Sequence, residues 1–481
     1  MSVISRIGYA ALIAVAIAQP AAAVDPAGAV AIPPYERVVL DNGVTLLLLE
    51  QREVPMIAFS AVLAGGALAD TAGHEGTSAV LAALLEKGAG DRDAFAFADA
   101  VANVGGSIAT DASMEAINIT GEFLARDADL MVDLLADMLR RPRLDESQFS
   151  DVRARQIEFL RAAKDSSRSA LTGVYGASLL FAEHPYGRPV GGSESSLESL
   201  QHEHVVEYYR QQFGADRLVV AVAGDFDADK MRARLEQALG DWSRARSPAP
   251  QVQPPADPRV GRVLLVDAPA ATQTYFWLGN VGVGKDYSQR AALDLVNTLF
   301  GGRFTSMLNT ELRIKSGLTY SARSRLMRYR DAGYVAIASD TATQTTREAL
   351  EVALATLGRL HGSEIDKVML DSARAYITGQ FPLGLETAAQ WAGTLAELEF
   401  YRLGRDYIEG YAQALRDVDL AETEEVIDDV YPTRDRLAIV LIGDASALRE
   451  LAAEYGEVTE IRLYDPTFAV PDQQQPSARS R

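Results

Sequence analysis

The sequence predicts an α+β protein built from two homologous halves, each with a largely antiparallel sheet flanked by helices. Three observations predict this class: strand patterns mix with helical patterns, features of one half recur in the other, and a proline-rich stretch separates them. The chain has 481 residues, of which 48% are hydrophobic and 23% charged. This composition excludes intrinsic disorder as a description of the whole chain and allows two to four domains.

The first half begins with strand signals and continues with helical ones. Asn42-Gly43 stands between two apolar runs within residues 36–51, which predicts a hairpin, and residues 56–66 predict another strand. Helical periodicity follows over residues 76–87, 92–103, 127–141 and 146–163.

An internal repeat is indicated by two matched patterns. DRLVVAVAGD (216–225) recurs as DRLAIVLIGD (435–444), and each reads as a buried strand stopped by Gly-Asp and followed by a helix. Near the start of the halves, Asp70 and Asp286 each precede a helical run that ends at a glycine. Two matches in the same order and at nearly constant spacing indicate duplication.

The first 23 residues have the pattern of a secretory signal peptide. Arg6 is their only charged side chain, an apolar run follows, and small residues precede the expected cleavage after Ala23. The alternative is a membrane anchor, but the apolar run is shorter than the roughly 20 residues that span a bilayer. We therefore expect an exported, periplasmic protein without stable membrane insertion.

Composition also indicates the boundaries of the two domains, the linker and the tail. Residues 24–242 form the first predicted domain and residues 259–465 the second. Between them, residues 243–258 are rich in proline, which predicts an exposed linker. Residues 466–481 consist largely of polar residues and proline, which predicts a disordered tail.

Charge and residue usage exclude several functions. Lys plus Arg number 46 against 66 Asp plus Glu, a net charge of −20, which argues against nucleic acid as a partner. The absence of cysteine excludes disulfides, thiolate metal sites and cysteine nucleophiles. Histidine chemistry must draw on five residues, which are His74, His184, His202, His204 and His361.

Several stretches resemble the M16 (pitrilysin-type, inverzincin) metallopeptidase family. In the first half they are the opening hairpin and strand (40–70) and AEHPYG (182–187) with the residues after it. In the second half they are GRFTSMLNTELRIKSGLTYSARS (302–324) and GQFPLGLETAAQWA (379–392). The resemblance covers nearly the whole mature chain and implies the two-halved M16 fold.

The resemblance also implies a degenerate zinc site. The family's catalytic motif is His-x-x-Glu-His on a helix, where the histidines bind Zn²⁺ and the glutamate activates water. The corresponding positions here are Ala79, Ala82 and Ala83. Alanine offers neither a ligand nor a base, so we expect no metal and no catalytic residue in this chain. Glu158 lies near the place of the family's third ligand, and we interpret it as a surface acid.

Two other places could bind a metal. His74-Glu75 precedes the degenerate helix, although such a pair more often belongs to a loop or cap. His202 and His204 could chelate if they lay on a strand, but their surroundings read as a helix, on which side chains two positions apart diverge. An autonomous peptidase with a metal site rebuilt around these two histidines stays an alternative.

Arg313 and Tyr320 match an Arg/Tyr pair that binds substrate opposite the zinc helix in the resembling family. The sequence predicts a helix over residues 307–315 ended by Gly317, and a strand from Leu318 that carries Tyr320. The arginine fork and the phenol suit a peptide carbonyl or the oxyanion of a tetrahedral intermediate. The alternative is an arginine that caps the helix and a tyrosine packed in the sheet.

By resemblance, the chain is a zinc-free, substrate-binding subunit of an exported heterodimeric M16 peptidase. It needs no cofactor of its own, and zinc is expected in a partner homologue that keeps His-x-x-Glu-His. Two such chains would enclose a chamber for peptide substrates, and the net negative charge would favour basic or neutral peptides if the chamber wall shared it. The alternative is a non-enzymatic peptide-binding or structural assembly subunit of the same fold.

Overall fold

A computed structural model describes residues 30–255 and 261–471. The predicted signal peptide, residues 1–23, lies outside the described residues. Each half contains a six-stranded sheet covered by helices, so the α+β prediction is confirmed.

The first half contains eight strands and eight α-helices within residues 30–255. The strands are β1 (Glu36–Val39), β2 (Thr45–Glu50), β3 (Met56–Ala64), β4 (Gly88–Ala89), β5 (Arg92–Asp93), β6 (Ser107–Ala112), β7 (Ala116–Leu124) and β8 (Leu218–Gly224). The helices are α1 (Thr77–Leu85), α2 (Ala94–Ala102), α3 (Ala128–Arg140), α4 (Glu146–Ser166), α5 (Thr172–Phe181), α6 (Glu194–Ser199), α7 (His202–Gln212) and α8 (Ala228–Leu239).

The second half contains six strands and nine α-helices within residues 261–471. The strands are β9 (Arg262–Asp267), β10 (Gln273–Gly282), β11 (Arg323–Arg328), β12 (Gly333–Ala342), β13 (Ala438–Gly443) and β14 (Glu457–Arg462). The helices are α9 (Arg290–Asn297), α10 (Met307–Asn309), α11 (Thr346–His361), α12 (Lys367–Gln380), α13 (Ala388–Tyr401), α14 (Asp406–Glu409), α15 (Tyr411–Asp417), α16 (Leu420–Val430) and α17 (Ala445–Ala453).

The two large sheets share one topology. Their strand orders are β1-β2-β8-β3-β7-β6 and β14-β9-β13-β10-β12-β11, so β8 and β13, the two repeated apolar stretches, occupy the same central place. The β2–β8 and β9–β13 pairs are parallel, whereas β3, β6 and β7 and their counterparts pair antiparallel. One edge differs, because β1 forms the predicted antiparallel hairpin with β2 and β14 pairs parallel with β9.

Each half supplies a helix that covers the sheet of the other. Helix α13 packs on β3 and β8, where Trp391 and Leu395 share a buried apolar cluster with Val62 and Ala223. Helix α5 packs on β10 and β13 in return. At this contact a Cβ on Gly176 would lie 2.6 Å from the Trp277 ring, so only glycine allows the approach. This reciprocal burial of apolar surface fixes the halves against each other.

The chain after the last strand packs against the first half. Phe468 is 3% exposed and its ring meets the edge of Tyr175, with ring centroids 5.1 Å apart. The Ser195 amide donates to the Pro466 carbonyl (2.9 Å). The expectation of disorder from residue 466 is therefore wrong for residues 466–471, because the apolar area of Phe468 outweighs the polar composition around it. Residues 472–481 lie outside the described residues.

The described part of the predicted linker, residues 243–255, lies along the first half. The amides of Arg246 and Ser247 donate to the Gln211 carbonyl (3.2 and 3.1 Å). The Asp216 carboxylate accepts from the Ala245 amide (2.8 Å). Across the described ranges, no helix combines the length and the apolar character needed to cross a membrane.

Candidate functional site

The degenerate helix α1 begins over a buried carboxylate. Asp70 is 4% exposed and accepts hydrogen bonds from the amides of Gly76 and Ser78 (both 2.9 Å) and from the Ser78 hydroxyl (3.2 Å). Burial raises the pKa of Asp70 to about 7, although the backbone hydrogen bonds act in the opposite direction. Asp70, which the sequence matches with Asp286 of the second half, thus caps the start of α1.

The three alanines lie on α1 where the family has its metal motif. Ala79 and Ala83 are half-buried, whereas Ala82 is 1% exposed. The Ala82 carbonyl accepts from the Thr110 hydroxyl (2.7 Å), and the Glu86 carboxylate accepts from the Thr110 amide (2.8 Å). These hydrogen bonds connect the last turn of α1 and the residue after it to β6.

The residues present do not fit a zinc ion in the family's manner. A methyl group donates no electron pair to a metal, and α1 offers methyl groups at all three motif positions. Glu158 lies on α4 with its side chain 71% exposed, and its carboxylate is paired with Arg161 (2.9 Å). The interpretation of Glu158 as a surface acid agrees with this geometry.

The histidine pair considered as a rebuilt metal site lies on a helix. His202 and His204 are at the start of α7, so the strand geometry needed for chelation is absent there. His202 Nε2 donates to the Leu144 carbonyl (2.5 Å), and His204 Nδ1 accepts from the Gln201 amide (3.1 Å). The His74 ring stacks on His204 at 3.9 Å, and burial together with this neighbour lowers the pKa of His204.

Within residues 30–255 and 261–471, no group of three or more histidine, aspartate or glutamate side chains is arranged to hold a metal ion. The two rings of α7 instead face different partners, as expected for positions two apart on a helix.

The segment that carries Arg313 is helical, but its form differs from the prediction. Helix α10 continues into a π-helix over Thr310–Lys315, which ends before Gly317 with a φ of +65°. The expected strand from Leu318 is wrong, because β11 begins only at Arg323. The Leu318 amide donates to the Leu312 carbonyl (2.8 Å), so Leu318 folds back on the helix end instead of joining the sheet.

Arg313 lies between two aromatic rings. Its Cζ is 4.4 Å from the centroid of Tyr320 and 4.9 Å from that of Phe304. The rings are 79% and 60% exposed, so neither is packed in the sheet. The guanidinium forms no hydrogen bond or ion pair with any residue that the structure describes. Cation–π contacts thus hold the group in place while its donors stay available, and it does not cap the helix.

Arg313 and Tyr320 line a pocket of about 590 Å³. Arg303, Arg323, Arg325 and Tyr376 also line it, and sequence reasoning did not single them out. The spacing of Arg323 and Arg325 was the only available signal, since alternate residues of a strand share one face. Arg303 and Tyr376 lie far apart in the chain and gave no signal.

A buried carboxylate of the first half accepts hydrogen bonds from the second half. Glu115 is 6% exposed and accepts from the hydroxyl of Tyr186 (3.1 Å), from the hydroxyl of Tyr401 (2.9 Å) and from the Arg330 amide (3.0 Å). Tyr186 belongs to the AEHPYG stretch, and its ring centroid lies 4.6 Å from that of Tyr329 in the second half, so this motif takes part in the contact between the halves.

Two family models match the chain in sequence order. The model described as insulinase (peptidase family M16) matches residues 48–192, and that described as peptidase M16 inactive domain matches residues 199–377. Together they cover about two thirds of the chain. The chain belongs to the M16 peptidase family. Its helix α1 carries alanine at the three positions that align with the family's His-x-x-Glu-His motif.

Relatives of this M16 protein carry contrasting names. An uncharacterized zinc protease of Mycobacterium leprae is 28% identical over 352 residues, 73% of this chain and 78% of the relative. A protein of Helicobacter pylori named non-peptidase homolog YmxG is 24% identical over 370 residues, 76% of this chain and 83% of the relative. A solved peptidase M16 inactive domain from Pseudomonas fluorescens superposes with a TM-score of 0.80 at 20% identity, covering 85% of this chain and 98% of that one, which shows the shared fold.

Proposed function

We propose that this chain is the zinc-free, substrate-binding subunit of an exported M16-type peptidase whose partner chain carries His-x-x-Glu-His and zinc. One contrast within the chain carries the proposal. The metal positions are occupied by alanine, whereas the Arg313 guanidinium stands in an open pocket with its donors unused. A chain that keeps a positioned donor group and lacks metal ligands is suited to bind a peptide for hydrolysis by another chain.

Arg313 and Tyr320 are the groups that meet the peptide in this proposal. The planar guanidinium donates to a backbone carbonyl or to an oxyanion that develops from it, and the phenol adds one neutral donor. Because Phe304 and Tyr320 restrict the guanidinium, little side-chain entropy is lost when the peptide binds. This chain's own residues therefore bind and orient the peptide and carry out no bond cleavage.

The names of the relatives support a family with both catalytic and non-catalytic members, since they include a zinc protease and a non-peptidase homolog. Export is supported by the composition of residues 1–23. The name of the Helicobacter pylori relative also favours a second candidate, a peptide-binding or assembly subunit whose complex does not hydrolyse peptides.

A reconstitution experiment tests the proposal. The mature chain is mixed with a His-x-x-Glu-His-bearing M16 homologue from the same genome, and cleavage of a quenched fluorescent peptide is followed. We expect the mixture to cleave far faster than either chain alone. Arg313→Ala is expected to lower kcat/KM of the mixture by about 100-fold, the range seen when a transition-state donor is removed.

Arg52→Ala is the matched control, because Arg52 is an exposed arginine of the first half that pairs with Glu50 (3.4 Å) and does not line the pocket. Unchanged cleavage by mixtures that contain Arg313→Ala and Tyr320→Ala contradicts the proposal. Peptide binding without any stimulation of cleavage favours the assembly subunit instead.

A further inference from the structure

The pocket beside Arg313 and Tyr320 has a strongly basic wall. Four arginine side chains line it, and none of its lining residues is an aspartate or a glutamate. The four are Arg303, Arg313, Arg323 and Arg325. The chain as a whole carries a net charge of −20, so this concentration of positive charge runs against the overall balance.

None of the four arginines forms an ion pair with a carboxylate in the described ranges. Other arginines of the second half are paired, as Arg347 is with Glu454 (2.5 Å) and Arg449 with Glu460 (2.7 Å). Like charges around one concave site repel one another, and the low-dielectric walls strengthen the field. An anionic group in the pocket relieves this repulsion, so the free pocket favours a negatively charged ligand.

The backbone places the arginines on the pocket wall. Arg323 and Arg325 are two positions apart on β11, so they share one face of the strand, and both are exposed. Arg303 follows a π-helical segment that ends at Gly302, and its Nη1 donates to the Ser372 hydroxyl (3.0 Å). Its Nε is buried and has no hydrogen-bond partner among the described residues, so a donor stays unused inside this wall.

Aromatic rings complete the pocket. Phe304 and Tyr320 flank Arg313, and the Tyr376 centroid is 6.0 Å from the Cζ of Arg303. A guanidinium stacked on a ring keeps its donor edge free, and that planar edge matches the two oxygens of a carboxylate. The rings meanwhile offer apolar surface to the rest of a peptide.

We propose that this pocket selects peptides that carry a carboxylate, on an aspartate or glutamate side chain or at the peptide's own C-terminus. The inference rests on the proposed function, because it names the substrate class of the same site. The net charge of −20 would favour basic or neutral peptides only if the site shared it. The candidate site is basic instead, so the inferred preference is the opposite one. Acidic surface elsewhere disfavours the same peptides at other places.

Binding of labelled peptides to the purified mature chain tests the inference by fluorescence anisotropy. Three fluorescein-labelled peptides of equal length share an Ala-Gly-Ser background. The first carries glutamates and an amidated C-terminus, the second glutamines and the amide, and the third glutamines and a free C-terminus. We expect at least one carboxylate peptide to bind about tenfold more tightly than the amidated glutamine peptide. The peptide that does so identifies the source of the carboxylate.

The double variant Arg323→Gln/Arg325→Gln lowers the pocket charge and leaves Arg313 and Tyr320 in place. We expect it to lose the tenfold preference, so that the carboxylate peptides and the glutamine peptide bind alike. Arg347→Gln/Arg449→Gln is the matched control, because it removes two exposed arginines of the same half outside the pocket. Equal affinity of the wild-type chain for all three peptides, or a preference that survives the pocket variant, overturns the inference.

The outcomes separate this inference from the proposed function. If the three peptides bind equally and Arg313→Ala still abolishes cleavage of a neutral peptide by the mixed subunits, carboxylate selection is wrong and the proposed function stands. If none of the peptides binds and Arg313→Ala leaves that cleavage unchanged, both are wrong.

Discussion

The Glu115 carboxylate accepts a hydrogen bond from the Tyr401 hydroxyl (2.9 Å), and this contact joins the first half to the end of the helix that the second half packs on it. The same carboxylate holds the Arg330 amide and Tyr186, so one buried acid fixes three segments. The orientation of the two halves therefore depends on a polar contact as well as on apolar packing.

Replacement of Glu115 by alanine is expected to destabilise the fold. The change leaves the hydroxyls of Tyr186 and Tyr401 and the Arg330 amide without their acceptor, and each unsatisfied buried group costs about 1–3 kcal/mol. We expect a loss of about 3 kcal/mol or more in the free energy of unfolding, measured by denaturant titration. Glu115→Gln keeps an acceptor and should lose less. An alanine variant as stable as the wild type would show that the contact contributes nothing.

Restoring the family motif is expected not to restore the metal site. In the triple variant Ala79→His/Ala82→Glu/Ala83→His, the new glutamate enters a position that is 1% exposed, at a cost of several kcal/mol. Glu158 is exposed and engaged with Arg161, so a third ligand is missing. We expect far less than one zinc per chain after dialysis, measured by elemental mass spectrometry. Stoichiometric zinc in the triple variant contradicts this prediction.

Two substitutions of Tyr320 separate its ring from its hydroxyl. Tyr320→Phe keeps the ring on Arg313 and removes one donor, so we expect peptide binding to weaken about fivefold, equivalent to about 1 kcal/mol. Tyr320→Ala also removes the cation–π contact, worth about 1 kcal/mol more, and should weaken binding about thirtyfold. Anisotropy titrations measure both. If the two variants bind equally well, the ring has no part in positioning Arg313.

Asp70 predicts a dependence of stability on pH. Its pKa is about 7 in the folded chain against 3.8 as the ordinary value, so the folded state holds the proton more tightly. Its contribution to stability is therefore full below about pH 4 and is lost as the pH rises to about 7, at most about 1.4 kcal/mol per pH unit.

Asp70→Asn removes this ionisation and serves as the comparison. The difference in unfolding free energy between the wild type and the variant should shift against the wild type as the pH rises from about 4 to about 7. Denaturant titrations at several pH values measure it. Parallel pH profiles for the two proteins would contradict the pKa assigned to Asp70.

Substitution of Phe468 tests whether the segment after β14 packs on the first half. Because its side chain is 3% exposed against Tyr175, Phe468→Ala should cost about 3 kcal/mol of unfolding free energy. Tyr464→Ala is the control, since that ring is 59% exposed and its loss should cost under about 1 kcal/mol. Equal, small losses in the two variants would mean that residues 466–471 add nothing to the folded core.

Local patterns in the sequence predicted much of the fold. The Asn42-Gly43 hairpin, the buried strand β8 with its repeat β13, and the degenerate helix α1 were all expected from residue spacing. Such features depend on hydrophobic periodicity and turn residues within a few positions, which a sequence displays directly. The Arg313–Tyr320 proximity was also expected, because only a helix end separates the two residues.

The sequence by itself determined the class of the halves, their repeated strands and the alanines at the three motif positions, since each depends on which residues stand at short, regular spacings. Only the tertiary structure decided that Glu115 meets Tyr401, that Phe468 is buried, and that Arg303 joins Arg323 in one pocket. These residues are distant in the chain, and packing energy, not local propensity, brings them together. A net charge counted along the sequence therefore cannot give the charge of a site that folding assembles.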